Sequence, residues 1–156
     1  MFKTKRNIVL ALAVCALLLC TTVTAKHQVT RPFKIHGDVT VVISLVDGSL
    51  VGTETGEATH IGRYSSAGEG SFDLGSGSGT ETGVLTAANG DELNWVEEIT
   101  PISQVASRIV RTFTGGTGRF ENASGGFSYE ITPDVVVDFP LVILTFSYMA
   151  TGTITY

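Results

Sequence analysis

The chain has 156 residues, ten Lys+Arg against fifteen Asp+Glu for a formal charge of −5, and two cysteines, Cys15 and Cys20, both near the N-terminus. The acidic balance argues against nucleic acid or an anionic membrane surface as a partner and fits a protein kept in solution by its charge. With both cysteines in the first twenty residues, the rest of the chain has neither a disulfide framework nor thiol chemistry, and it must hold together by its core alone.

In chain order, the first element is a leader. Lys3, Lys5 and Arg6 form a positive start, Ile8–Cys20 is an apolar run, and Val23-Thr24-Ala25 supplies small residues for cleavage. The run is too short for a spanning helix of about twenty apolar residues, so a signal peptide over residues 1–25 and a secreted or periplasmic product are expected. Cys20 follows Leu19, where a lipoprotein signal needs a small residue, so a lipid anchor is not expected. Cleavage after Ala25 leaves residues 26–156 as one domain with seven basic and fifteen acidic residues, a charge of −8. A domain of that length buries a self-sufficient core.

From Phe33 onward the pattern has period two, and all eighteen glycines fall in this part of the chain. Phe33, Ile35, Val39, Val41 and Ile43 share one parity, as a strand buried on one face requires. Val46-Asp47-Gly48-Ser49 is a turn, and further strands are expected over Gly56–Ser65, Glu69–Leu74, Thr80–Ala87, Glu92–Thr100, Ala106–Thr114, Gly118–Ile131 and Leu141–Tyr156. Ala88-Asn89-Gly90-Asp91 is the clearest hairpin turn, because Asn-Gly accepts positive φ at both central positions. Seven or eight antiparallel strands must cover or abolish their edges, and closure abolishes them, so an all-β, single closed antiparallel barrel of about eight strands is expected. The clean alternation of the last eleven residues would also suit an outer-membrane barrel. Glu69–Leu74 and Thr80–Ala87, however, lack the lipid-facing apolar band that every strand of such a barrel carries.

The densest signal is Gly116-Thr117-Gly118-Arg119-Phe120-Glu121-Asn122-Ala123-Ser124-Gly125. Gly116, Gly118, Gly125 and Gly126 permit backbone angles closed to other residues, and Phe120 and Ala123 are placed to plug one end of a barrel. This segment resembles the G-T-G-x-F-x-x-A-x-G turn of the allene oxide cyclase-like barrels, a group that includes the plant dirigent proteins. Gly56-Glu57-Ala58-Thr59-His60-Ile61-Gly62 and Ala87-Ala88-Asn89-Gly90-Asp91-Glu92-Leu93 are similar to segments of small secreted bacterial proteins that share this barrel. The resemblance implies the fold. Allene oxide cyclases are implied to bind a fatty-acid-derived epoxide in an apolar cavity, and dirigent proteins to hold phenoxy radicals without a cofactor. No active residue of either group is matched here, so no activity is carried over.

Five residues are candidates for lining a pocket. Glu97 shares parity with Leu93, Trp95 and Ile99, and Arg111 with Ile109 and Phe113, so one face of each strand would carry the pair inward together with Trp95. Such a pair is either a cross-strand salt bridge near the rim or a buried pair that grips a polar ligand head. His60 shares parity with Ala58, Gly62 and Tyr64 and has a side chain suited to acid–base work. Tyr129 lies on the strand after the glycine turn.

His27, His36 and His60 offer no ligand pair at i, i+2 or i, i+4, so no metal is expected, and no triad or nucleophile elbow is present. Gly75-Ser76-Gly77-Ser78-Gly79 has no following Lys or helix start and reads as a loop, not a phosphate cradle. No cofactor is expected. The leading expectation is a barrel that binds a small apolar or amphipathic ligand, without a commitment to catalysis. A cofactor-free cyclase or isomerase is one alternative, and a filled structural barrel that forms homo-oligomers is the other.

Overall fold

The computed structural model describes residues 28–156; the leader expected over residues 1–25 and His27 lie outside them. Nine strands follow one another: β1 (Thr30–Ser44), β2 (Ser49–Ala58), β3 (Gly62–Asp73), β4 (Ser78–Ala87), β5 (Glu92–Pro101), β6 (Ser107–Gly116), β7 (Ser124–Ile131), β8 (Asp134–Asp138) and β9 (Leu141–Thr155). Each pairs antiparallel with its neighbours in the order β1 to β7 and then β9, and β9 returns to pair with β1. The result is a closed eight-stranded barrel, with β8 as a ninth strand paired to the Leu141–Thr145 end of β9, beyond the stretch that β7 pairs.

Closure is uneven. β1 and β9 pair over fifteen positions, Thr30↔Thr155 through Ser44↔Leu141, whereas β7 and β9 pair only from Ser124↔Thr155 to Phe127↔Gly152. Past that point Tyr129 and Tyr148 stack their rings 4.1 Å apart, filling with side chains a seam that the backbone leaves unpaired.

Period two places the core. Phe33, Ile35, Val39, Val41 and Ile43 of β1 all point inward, as their shared parity requires. One end of the barrel is shut. Phe33, Leu93, Phe120 and Ile154 have no exposed surface there, Ala123 is buried beside them, and the Tyr156 ring meets Phe120 edge-on at 5.5 Å.

The expected strands differ from the observed ones at four places, the first being Glu69–Leu74, which is the far half of β3 and not a separate strand. Gly56–Ser65 is the hairpin between β2 and β3: Thr59-His60-Ile61 turns the chain, with His60 at φ 69° and Gly62 at φ 78°. The start of Gly118–Ile131 is a single 3-10 turn, Gly118–Phe120, which folds Phe120 back under the barrel end before β7 begins at Ser124. β8 was not expected, since all five of its residues are exposed and no alternation marks them.

Several strand glycines face inward, and they are there for space. A side chain at Gly37 would run into Glu54 and Tyr64, and one at Gly52 or Gly68 would run into the Glu81 carboxyl. Likewise, Gly116 of the glycine-rich turn has no positive φ; its missing side chain lets the Glu92 backbone approach, while Gly118 and Gly125 do take positive φ.

Removing the end plug leaves a cavity at a fully buried position. Phe120→Ala is expected to cost about 3–5 kcal/mol, read as a lower urea midpoint with an unchanged slope. A loss under about 1 kcal/mol would show that Phe120 does not close the barrel.

Candidate functional site

Inside the apolar shell lies a belt of polar side chains built around Arg111. Alternation along β6 turns Ile109, Arg111 and Phe113 inward, and Arg111 is 3% exposed. Its Nε donates to Glu97 Oε1 at 2.6 Å across the β5–β6 ladder, and its Nη2 donates to Glu54 Oε2 at 2.9 Å from β2 across the barrel. The guanidinium carbon sits 4.3 Å from the Trp95 ring centroid and 5.5 Å from that of Phe127. Nη1, which is fully buried, has no hydrogen-bond partner among the described residues, and the aromatic faces beside the group offset part of that loss.

Both carboxylates are further satisfied by tyrosines. Tyr148 donates to Glu54 Oε1 at 2.7 Å, Tyr64 donates to the same oxygen, and Tyr129 donates to Glu97 Oε1 at 3.2 Å. Trp95 Nε1 donates to Ser66 Oγ at 3.0 Å, and Ser66 donates onward to the Val84 carbonyl. Burial, with the negative charge of Glu54 next, pushes the Tyr64 hydroxyl far up, and burial with Glu97 does the same for Tyr129. Burial also raises Tyr148, against the pull of Arg111. All three therefore remain proton donors. Burial opposes the charge on Arg111, but Glu97 and Glu54 outweigh it and hold the guanidinium well above its ordinary range.

Glu81 completes the belt and differs from the others. It stands directly opposite Glu97 in the β4–β5 ladder, is 5% exposed, and among the described residues neither donates nor accepts a side-chain hydrogen bond or ion pair. Its acid is pushed up to about 7, by burial first and by the charge of Glu97 second, with Arg111 pulling the other way.

Above the belt is a cavity of about 90 Å³. Glu54, Glu81, Glu97, Arg111 and Tyr129 form its polar floor, and Val41, Leu50, Phe72, Ile99 and Ile109 form its walls. Ile131, Pro133, Leu144 and Phe146 line the end away from Phe120. The arrangement grips a polar head on the floor and an apolar body along the walls. It also holds, in Glu81, one carboxyl able to take up or release a proton near neutrality. No group of three His, Cys, Asp or Glu among the described residues is placed to hold a metal ion.

Four of the five candidate pocket residues come together here: Trp95, Glu97, Arg111 and Tyr129 all line the cavity. Glu97 and Arg111 form a buried pair, not a rim bridge, with both side chains under a tenth exposed. His60 is elsewhere. The β2–β3 turn carries it to the plugged end, where Nε2 lies 3.1 Å from the Pro32 carbonyl oxygen and the ring is 6.1 Å from Tyr156. Glu54, Glu81, Ser66, Tyr64 and Tyr148 were missed. Parity with Leu50 marks Glu54 once β2 has its observed bounds, and parity with Leu85 marks Glu81 within the strand already expected over Thr80–Ala87.

No family sequence model and no curated protein matches the chain. Among solved structures, it is similar to that of a pterocarpan synthase dirigent protein, with a TM-score of 0.51 and 12% identity over 88% of this chain and 94% of that one. At that identity the likeness shows the fold: an all-β, dirigent-like eight-stranded barrel, as the glycine turn implied.

Arg111 neutralises two buried carboxylates at once, so Arg111→Met is expected to cost about 3–5 kcal/mol in urea unfolding, because Glu54 and Glu97 would be left uncompensated. A loss near zero would mean that the pair contributes nothing net. Glu81 works in the opposite sense. Folding raises its pKa from 4.5 to about 7, so its stabilising share is complete below about pH 4.5 and is lost as pH rises through about 7. The wild type is expected to lose on the order of 3 kcal/mol relative to Glu81→Gln over that range, and parallel pH profiles for the two proteins would refute the assignment.

Proposed function

We propose that the barrel binds a small amphipathic molecule, with its apolar part along the cavity walls and its polar end on the belt of Glu54, Glu81, Glu97 and Arg111. The observation that carries this reading is Glu81, a cavity-facing carboxyl buried to 5% exposure with no partner among the described residues. Its oxygens open onto the cavity, where no protein donor among the described residues meets them, and a ligand is one way to supply that donor. The cavity of about 90 Å³ disfavours the alternative of a completely filled structural barrel. We further propose that residues 1–25 direct export and are removed after Ala25, on the strength of the basic start, the apolar run and the small residues before that bond.

Native mass spectrometry of the protein secreted by its source tests both readings. The expected spectrum has an intact mass beginning at Lys26 and an additional small molecule released by organic solvent. In parallel, amphiphiles of six to ten carbons at a hundred times their Kd are expected to raise the melting temperature by several degrees, equivalent to about 2.7 kcal/mol. Ile109→Trp, which fills the cavity, is expected to abolish the shift. No retained molecule, together with no shift from amphiphiles with cationic, neutral or anionic heads, would sink the binding reading.

A further inference from the structure

We propose that the barrel selects ligands with a positively charged head, a small protonated amine on an apolar body, and that the Glu81 carboxyl receives it. The proposal rests on the binding reading above and names the chemistry of the ligand.

The cavity floor holds three carboxyls, Glu54, Glu81 and Glu97, against one guanidinium, Arg111, and no lysine or histidine lines it among the described residues. Every hydrogen bond on that floor goes to the first and third of these carboxyls. Arg111 spends Nε on Glu97 and Nη2 on Glu54, and Tyr64, Tyr148 and Tyr129 donate to the same two. Glu81 receives none. A carboxyl that faces a cavity with no protein donor, and with only the already shared charge of Arg111 near it, is satisfied at both points by one ligand group that brings a donor and a positive charge.

Three head groups can be compared on the same floor. A carboxylate would lie beside an excess of negative charge, and the one cation present has its remaining nitrogen, Nη1, fully buried beside aromatic rings. A hydroxyl would donate one hydrogen bond and leave the charge unbalanced. An ammonium donates a charge-assisted bond and supplies the missing positive charge. Size limits the body: about 90 Å³ is less than the ~150 Å³ cavity that admits benzene, so a few heavy atoms sit inside and a longer chain extends toward Ile131 and Leu144. The seat is also shaped. The Glu81 carboxyl lies where side chains at Gly52 and Gly68 would stand, so β2 and β3 give up two side chains to hold it at the cavity.

Binding should be linked to a proton. The charged groups facing Glu81 are Glu97 from β5, Arg111 from β6 and Glu54 from β2, whereas β3 presents Gly68 and Ser66. Because Glu81 titrates near neutrality, a bound ammonium favours its ionised form: R–NH3⁺ with the protonated carboxyl gives the ion pair and one released proton. Affinity for the amine should therefore rise with pH through about 7, and affinity for a neutral head should not.

The test is calorimetric titration of the mature protein proposed above, residues 26–156, with hexylamine, hexan-1-ol and hexanoate at pH 5.5 and 8.5. Expected at pH 8.5 is amine binding about tenfold tighter than the alcohol, with hexanoate weakest. At pH 5.5 the amine's advantage should shrink, and near pH 7 its binding should release a proton, read from buffers of different ionisation enthalpy. Glu81→Gln should keep the alcohol affinity and lose the amine preference, the pH dependence and the proton release. Equal binding of amine and alcohol, a preference for hexanoate, or an amine preference that survives in Glu81→Gln would overturn the proposal while leaving a binding cavity in place. Binding of none of the three would remove the cavity reading itself. If the variant does not fold, the wild-type pH dependence and proton release decide alone.

Discussion

The arrangement of the barrel interior depends on one guanidinium. Arg111 reaches Glu97 on the adjacent strand and Glu54 across the barrel, and in doing so ties the β5–β6 ladder to β2, with which neither strand pairs. A buried ion pair is weak evidence of net stability, because desolvation offsets most of the attraction. Its consequence here is geometric. Two of the three carboxylates are fixed in place by hydrogen bonds, and the tyrosines are oriented by the same oxygens. The third carboxyl is left facing open space.

Glycine makes that layout feasible. An eight-stranded barrel has room inside for side chains or for one small ligand, and not for a complete set of side chains around a charged belt. Gly37, Gly52 and Gly68 lie beneath Glu54, Tyr64 and Glu81, so strands that look poorly apolar in sequence are thin because the polar groups fill the space. The two ends then divide the labour. Phe33, Leu93, Phe120 and Ile154 shut one end with apolar bulk, and the belt forms a floor beneath the apolar walls that run to the other. A dirigent-like fold places no chemistry in this interior by itself. The chemistry comes from which inward positions carry charge.

The strand pattern was legible in sequence wherever both faces were distinct. β1 alternates so strictly that its inward set was readable residue by residue, and Asn89-Gly90 marked the β4–β5 turn. The pattern failed where the turn residues were ordinary. Thr59-His60-Ile61 has no glycine or proline of its own, and His60 takes positive φ in a turn between two strands that pair on either side of it. The same error cost the site Glu54. With β2 placed too late, Glu54 fell outside any strand, and its carboxylate could not be given a face.

By itself the sequence determined the barrel, the plugged end and the inward faces of Trp95, Glu97 and Arg111, because those follow from period two and from local turn chemistry. It could not decide that Glu54 meets Arg111, fifty-seven positions away. Nor could it decide that Glu97 is paired while Glu81, its direct neighbour in the ladder, is not. Parity gives a side chain its face. Closure of the sheet between β1 and β9 sets which faces meet across the interior, and only that long-range register made one carboxyl structural and left the other facing the cavity.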